Sequence, residues 1–206
     1  MFELIKEDIA VIKQLDPSAR NTLEIVLTCP GWKATRNHRL AHRLWKSGHY
    51  LLAKIVAAWT RFTMGIDIHP AAVIGRRFFI DHGRGVVIGE TTIIGDDVII
   101  YQGVTLGGTG KQKGKRHPTI KDKVMISAGA VILGSITVGE NAKVGASSVV
   151  LQDVPPNSTV VGVPGEIVMQ DGARVIRDYE RTEIRIKEIE EKLIQLKDDI
   201  NRMRKG

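Results

Sequence analysis

Residues 88–107 read IGETTIIGDDVIIYQGVTLG, in which Ile88, Ile94, Ile100 and Leu106 return every six positions and glycine follows directly at Gly89, Gly95 and Gly107. The period extends to both sides. Ile68, Ile74 and Ile80 precede it, and Ile120, Ile126, Ile132, Val138, Val144 and Val150 follow it. Gly75, Gly139 and Gly145 repeat the glycine. Four residues after the anchor sits a small or β-branched residue: Ala72, Thr92, Val98, Val104, Val124, Ala130, Ala142 and Ser148. Six residues are too few for a repeat that contains a helix, and they suit one short strand plus one turn. The anchors point inward and stack on their equivalents, and three units make one triangular coil. Thirteen anchors in three in-phase runs predict a mainly β fold, a parallel β-helix of hexapeptide repeats over residues 66–168.

The flanks have another character. Residues 1–65 read as an N-terminal α-helical region. Leu4, Ile5, Ile9, Ile12 and Leu15 fall at helical spacing until Asp16-Pro17 breaks them. A longer helical stretch follows Pro30-Gly31, Gly48 interrupts it, and Leu51, Leu52, Ile55, Val56, Trp59 and Phe62 form the last apolar stripe. Arg36, His38, Arg39, His42, Arg43, Lys46 and His49 read as a solvated or subunit-facing basic surface. Residues 169–206 read as a C-terminal α-helix or coiled coil. Tyr179, Ile186, Leu193 and Ile200 alternate with Thr182, Ile189, Leu196 and Met203 as the a and d positions of a heptad.

Across 206 residues, 43% apolar and 26% charged residues are ordinary for a globular protein. Cys29 is the only cysteine, so no intrachain disulfide forms. The first ten residues carry Glu3, Lys6, Glu7 and Asp8, which is no signal peptide, and no stretch has the length and apolarity to span a bilayer. A cytoplasmic location is expected, with no membrane partner. The formal charge of +7 suits a polyanion, either nucleic acid or a phosphate-rich cofactor, and charge alone does not choose between them.

The period slips twice. Ile80 to Ile88 spans eight residues and Leu106 to Ile120 spans fourteen. The extra residues must bulge out as loops, since the anchors cannot leave the core, and loops on a rigid scaffold carry function. Each slip contains a histidine: His82 in Asp81-His82-Gly83-Arg84-Gly85, and His117 in Arg116-His117-Pro118 after the Gly107–Lys111 stretch. His69, beside the first anchor and before a proline, reads as structural. No metal site is expected. The paired histidines of a β-helix carbonic anhydrase are broken here, because the residue five after His117 is Asp122.

The strings DIHPAAVIG (67–75), DHGRGVVIGE (81–90), VTLGGTGK (104–111), RHPTI (116–120) and the terminator VPPNSTVVGVPGEIV (154–168) resemble the serine acetyltransferase family, over about Asp16 to Val168. The resemblance implies a left-handed coil and acetyl-CoA-dependent O-acetylation of L-serine to O-acetyl-L-serine, the first step of cysteine biosynthesis. His82 matches the family's general base, and Asp67 the carboxylate that orients its imidazole. Asp16 and Asp81 match the carboxylates that hold the serine ammonium. Arg116 and His117 match the grip on its carboxylate. Small residues at Gly108, Thr109, Ala128 and Ala146 suit the pantetheine arm of coenzyme A, and Lys111, Lys113 and Lys115 face either its phosphates or solvent. Homoserine, a sugar or a xenobiotic alcohol remains the alternative acceptor, and a neutral sugar needs no zwitterion clamp.

The resemblance also implies a homotrimer or a dimer of trimers, with no nucleic acid partner. Longer members join two trimers through a larger helical domain before the Asp-Pro motif, and they dock the next enzyme, O-acetylserine sulfhydrylase, through a C-terminal isoleucine tail. This sequence has about sixteen residues before Asp16-Pro17 and ends Arg204-Lys205-Gly206, so that complex is not expected.

Overall fold

The computed structural model describes residues 2–110, 113–176 and 178–203. Four helices come first: α1 (Phe2–Leu15), α2 (Thr22–Thr28), α3 (Pro30–Lys46) and α4 (Tyr50–Met64). Pro17 disfavours a helical residue before it, so α1 stops at Leu15. Asn21 starts α2, a short helix that the apolar spacing does not announce, by accepting the Glu24 amide N–H at 2.9 Å. Pro30 opens α3, where its missing N–H would have no helical partner anyway. Gly65 closes α4 in the left-handed region, at φ 68.

The basic cluster on α3 is not one solvated face. His38 is buried, and the side chain of Arg39 is only 9% exposed. Arg39 donates to both oxygens of Asp8, each at 3.0 Å, and to the Gly75 carbonyl at 3.1 Å. His42 bonds the Pro70 carbonyl at 2.8 Å. These contacts tie α3 to α1 and to the first coil, so only Arg36, Arg43, Lys46 and His49 of the cluster are exposed. Burial drives the His38 imidazole down to about 3, which keeps it neutral. Gly31 lets α3 approach the coil, because a Cβ there would fall 2.0 Å from the Ile80 carbonyl oxygen.

Strands of two or three residues then wind in coils. The first coil holds β1 (Asp67–Ile68), β2 (Val73–Ile74) and β3 (Phe79–Ile80), and the second holds β4 (Val87–Ile88), β5 (Ile93–Ile94) and β6 (Ile99–Ile100). The third holds β7 (Thr105–Gly107), β8 (Thr119–Ile120) and β9 (Met125–Ile126). The fourth holds β10 (Val131–Leu133), β11 (Thr137–Val138) and β12 (Lys143–Val144), before β13 (Val149–Val150) and β14 (Ser158–Val161) end the winding. Equivalent strands pair in parallel. Sheet I is β1-β4-β7-β10-β13, sheet II is β11-β8-β5-β2, and sheet III runs from β3 through β6, β9 and β12 to β14. In sheet I, Ile68 stands on Ile88, Ile88 on Leu106, Leu106 on Ile132 and Ile132 on Val150, at offsets of 20, 18, 26 and 18 residues. All five are buried. Among the anchors only Ile74 is half-buried, in the first coil. The two large offsets are the two slips. The first slip bulges at the edge where sheet III turns into sheet I, and the second where sheet I turns into sheet II.

The winding ends on a reversal. β15 (Glu166–Gln170) folds back antiparallel on β14, and β16 (Ala173–Arg174) joins it. A hairpin so placed occupies the free edge that the last parallel coil would leave open. Residues 166–174 belong to sheet III, so the helix occupies only the later part of 169–206: α5 spans Asp178–Met203, the stretch that carries the heptad spacing from Tyr179. The chain divides into two units, Met1–Ala173 and Arg174–Gly206. On α5, Ile186, Ile189, Leu193, Leu196 and Ile200 are all exposed, whereas the side chains of Tyr179 and Met203 lie outside the described residues. No described helix is long and apolar enough to cross a membrane.

Candidate active site

The first slip puts Asp81 and His82 on the III/I edge, under the end of α1. His82 takes a left-handed backbone (φ 57) at the corner. Its side chain is 77% exposed, with Nε2 4.0 Å from Asp81 Oδ1. Asp16 reaches the same place from the α1–α2 turn. Its Oδ1 accepts the amide and the hydroxyl of Ser18, at 2.8 and 2.6 Å, and these bonds hold the carboxyl below its usual range. A cavity of about 620 Å³ is lined by Asp16, Asp81 and His82 together with Ile12, Arg84 and Cys29. The lone cysteine thus lies in the cleft, although it belongs to no sequence motif. Burial pushes its thiol up, so it stays protonated and is a poor nucleophile at neutral pH.

The second slip returns to the coil through Lys115, Arg116, His117 and Pro118, on the far edge of sheet I. The Arg116 guanidinium pairs with Glu90, whose carboxyl it holds low. His117 is 9% exposed. Its ring lies against Gly89, where a Cβ would come within 1.9 Å of it, so no other residue fits there. Burial, followed by the charge of Arg116, pushes this imidazole below its usual range. Lys115 is not free to meet a phosphate: its ammonium donates to the carbonyls of Thr91, His117 and Pro118. Lys113 lies on the exposed part of the loop, and Lys111 lies outside the described residues.

No described hydrogen bond or ion pair within the chain joins the two clusters. Asp67 does not reach His82 either. It sits on the outward side of β1 and pairs with Arg61 of α4 at 3.3 Å, leaving Asp81 as the carboxylate beside the imidazole. Gly108 and Thr109 follow β7 at the I/II edge, while Ala128 and Ala146 lie at the III/I edge. The assigned groups therefore flank sheet I on both sides. His69 caps its own turn, its Nδ1 accepting the Ala71 amide at 3.1 Å, and its ring meets Trp45 edge-on.

Residues 117–152 match the bacterial transferase hexapeptide (six repeats) family. Over 97% of its length the chain is 54% identical to the serine acetyltransferase of Bacillus pumilus, 94% of which it spans. The chain belongs to the serine acetyltransferase family. Among solved members, the Neisseria gonorrhoeae enzyme superposes with a TM-score of 0.81 at 43% identity, over 84% of this chain and 66% of that one. The Brucella abortus serine acetyltransferase in complex with coenzyme A gives 0.81 at 44% identity, over 84% of this chain and 69% of that one. The fold is the left-handed parallel β-helix of this family, with its helices at both ends.

Within this serine acetyltransferase fold, Glu90 and Thr91 are the residues at the second cluster that sequence reasoning missed. The signal was present. Position 91 precedes position 117 by 26 residues, the length of one ordinary coil enlarged by the second slip, so the two must be stacked neighbours.

Proposed function

We propose that the chain transfers the acetyl group of acetyl-CoA to the hydroxyl of L-serine, giving O-acetyl-L-serine and CoA, as the first step of cysteine biosynthesis. The cleft that gathers Asp16, Asp81 and His82 carries this reading, because two carboxylates beside an exposed imidazole suit an amine-bearing alcohol. His82 takes the hydroxyl proton while the serine oxygen attacks the thioester carbonyl. The tetrahedral intermediate then expels the thiolate of CoA, which recovers the proton from the imidazolium. Asp67 orients that imidazole, having exchanged Arg61 for it. Asp16 and Asp81 hold the ammonium, and Arg116 with His117 holds the carboxylate. Gly108, Thr109, Ala128 and Ala146 line the groove for the pantetheine arm. No acetyl-enzyme forms on Cys29, whose thiol stays protonated.

The two clusters face opposite edges of sheet I, so one site takes its base from one subunit and its carboxylate grip from the next. A homotrimer supplies three such sites around one axis. The exposed seam of α5 supports association, since a cyclic trimer brings three copies of the helix together in parallel.

Thiol release from acetyl-CoA, followed with a panel of L-serine, L-homoserine and a neutral sugar, tests the reaction. Release that requires L-serine is the expected result. Release with the sugar and none with L-serine would sink the reading.

A further inference from the structure

Thr91 has no role in the reaction as described so far, yet its polar atoms are all engaged with the returning segment of the second slip. Its amide N–H donates to Nδ1 of His117 at 3.2 Å. Its Oγ1 accepts the amide N–H groups of Arg116 and His117, both at 3.0 Å, and lies 2.9 Å from the same Nδ1. Its carbonyl accepts Lys115 Nζ at 2.8 Å. A backbone amide can only donate, so Nδ1 must carry a lone pair. In a neutral imidazole the proton then sits on Nε2. The hydroxyl is determined in the same way. With two amides on its lone pairs, its own hydrogen is directed at Nδ1. The ring has one arrangement that satisfies every partner.

We infer that Thr91 is a positioning residue that locks His117 as the Nε2–H tautomer and so makes it a fixed hydrogen-bond donor to the substrate carboxylate, beside the Arg116 guanidinium that Glu90 steadies. This rests on the serine-acetylation reading. It separates the two inserted histidines by role. A base must present a lone pair to the substrate, and His117 presents an N–H; His82, exposed and unlocked, is the histidine able to accept a proton. It also gives the Glu90-Thr91 pair of the sequence a purpose beyond packing, since neither side chain is an anchor.

The test is ¹⁵N NMR of the histidine rings in the intact wild-type protein at neutral pH, joined to kinetics of Thr91→Val and Thr91→Ser. Valine keeps the shape and the amide N–H but removes Oγ1, whereas serine restores it. The wild type should show His117 as the Nε2–H form. Thr91→Val, which keeps the amide donor to Nδ1 but loses the hydroxyl, should retain Nε2–H as the major form with a measurable Nδ1–H fraction absent from the wild type. It should raise KM for serine about tenfold, with KM for acetyl-CoA unchanged and kcat within about threefold, the size expected for losing a charge-assisted hydrogen bond. Thr91→Ser should return both readouts to wild type. An Nδ1–H ring in the wild type overturns the inference whatever the variants do. So does Thr91→Val with an unchanged serine KM, or with both KM values and kcat damaged alike, or a serine variant as impaired as the valine one. A wild type that releases no thiol with serine defeats the substrate reading instead, and the NMR result still decides the tautomer.

Discussion

His117 is 9% exposed, packed against Gly89 and bonded by Thr91, while His82 stands with its side chain 77% exposed on a left-handed corner, 4.0 Å from Asp81 Oδ1. Both histidines sit in slips of the same repeat. The difference lies in what the neighbouring coil offers. The second slip returns over Glu90 and Thr91, whose side chains and backbone hold it in place. The first slip faces the α1–α2 turn across an open cleft. One histidine is held by its own coil stack, and the other stands open to the cleft. A binding group gains from rigidity because its geometry costs nothing to attain at each encounter. A base needs access, and a lone pair free to take the proton.

The contrast breaks first at His82. Replacement by asparagine should lower kcat by about 10²–10⁴ with little change in the thermal unfolding midpoint, since the side chain is exposed. Steady-state kinetics beside a melting curve check this, and a variant with wild-type kcat would remove His82 from the base role.

Mixing sharpens the contrast next. Chains carrying His82→Ala and chains carrying Arg116→Ala should each be inactive alone. Refolded or co-expressed together, they should recover about a quarter of wild-type activity per site, because in a randomly mixed ring one junction in four has both groups intact. No recovery in demonstrably mixed oligomers would place the whole site within one chain.

The smallest expected effect concerns pH. Burial and the charge of Arg116 lower the pKa of His117, so it gains a proton only below the pH at which an ordinary histidine does. The serine KM should therefore stay flat from about pH 8 to about 6.5. A KM that follows an ionisation within that range would show His117 titrating as a free side chain.

Much of this was legible in the residues. A six-residue period with glycine after the anchor specifies coil, face and stack together, because each anchor must be buried in the same way as the one below it. The slips were legible for the same reason. The reading failed where structure arises from contact rather than period. α2 depends on a single cap at Asn21. β15 reverses direction, which no parallel period foretells. Arg39 and His42 of the basic cluster on α3 turn inward because Asp8, Gly75 and Pro70 supply their partners. Lys115 looked free in the loop and is bound to the Thr91 carbonyl of the preceding coil and to the His117 and Pro118 carbonyls of its own segment.

By itself, then, the sequence determined the winding of the coils and the two places where chain must leave them, since burial of Ile68 through Val150 admits one register. Only the tertiary structure decided that Thr91 lies under His117, that Cys29 faces the cleft, and that Asp67 meets Arg61. Those contacts join residues that successive coils and packed helices bring together, and their side chains carry no period of their own.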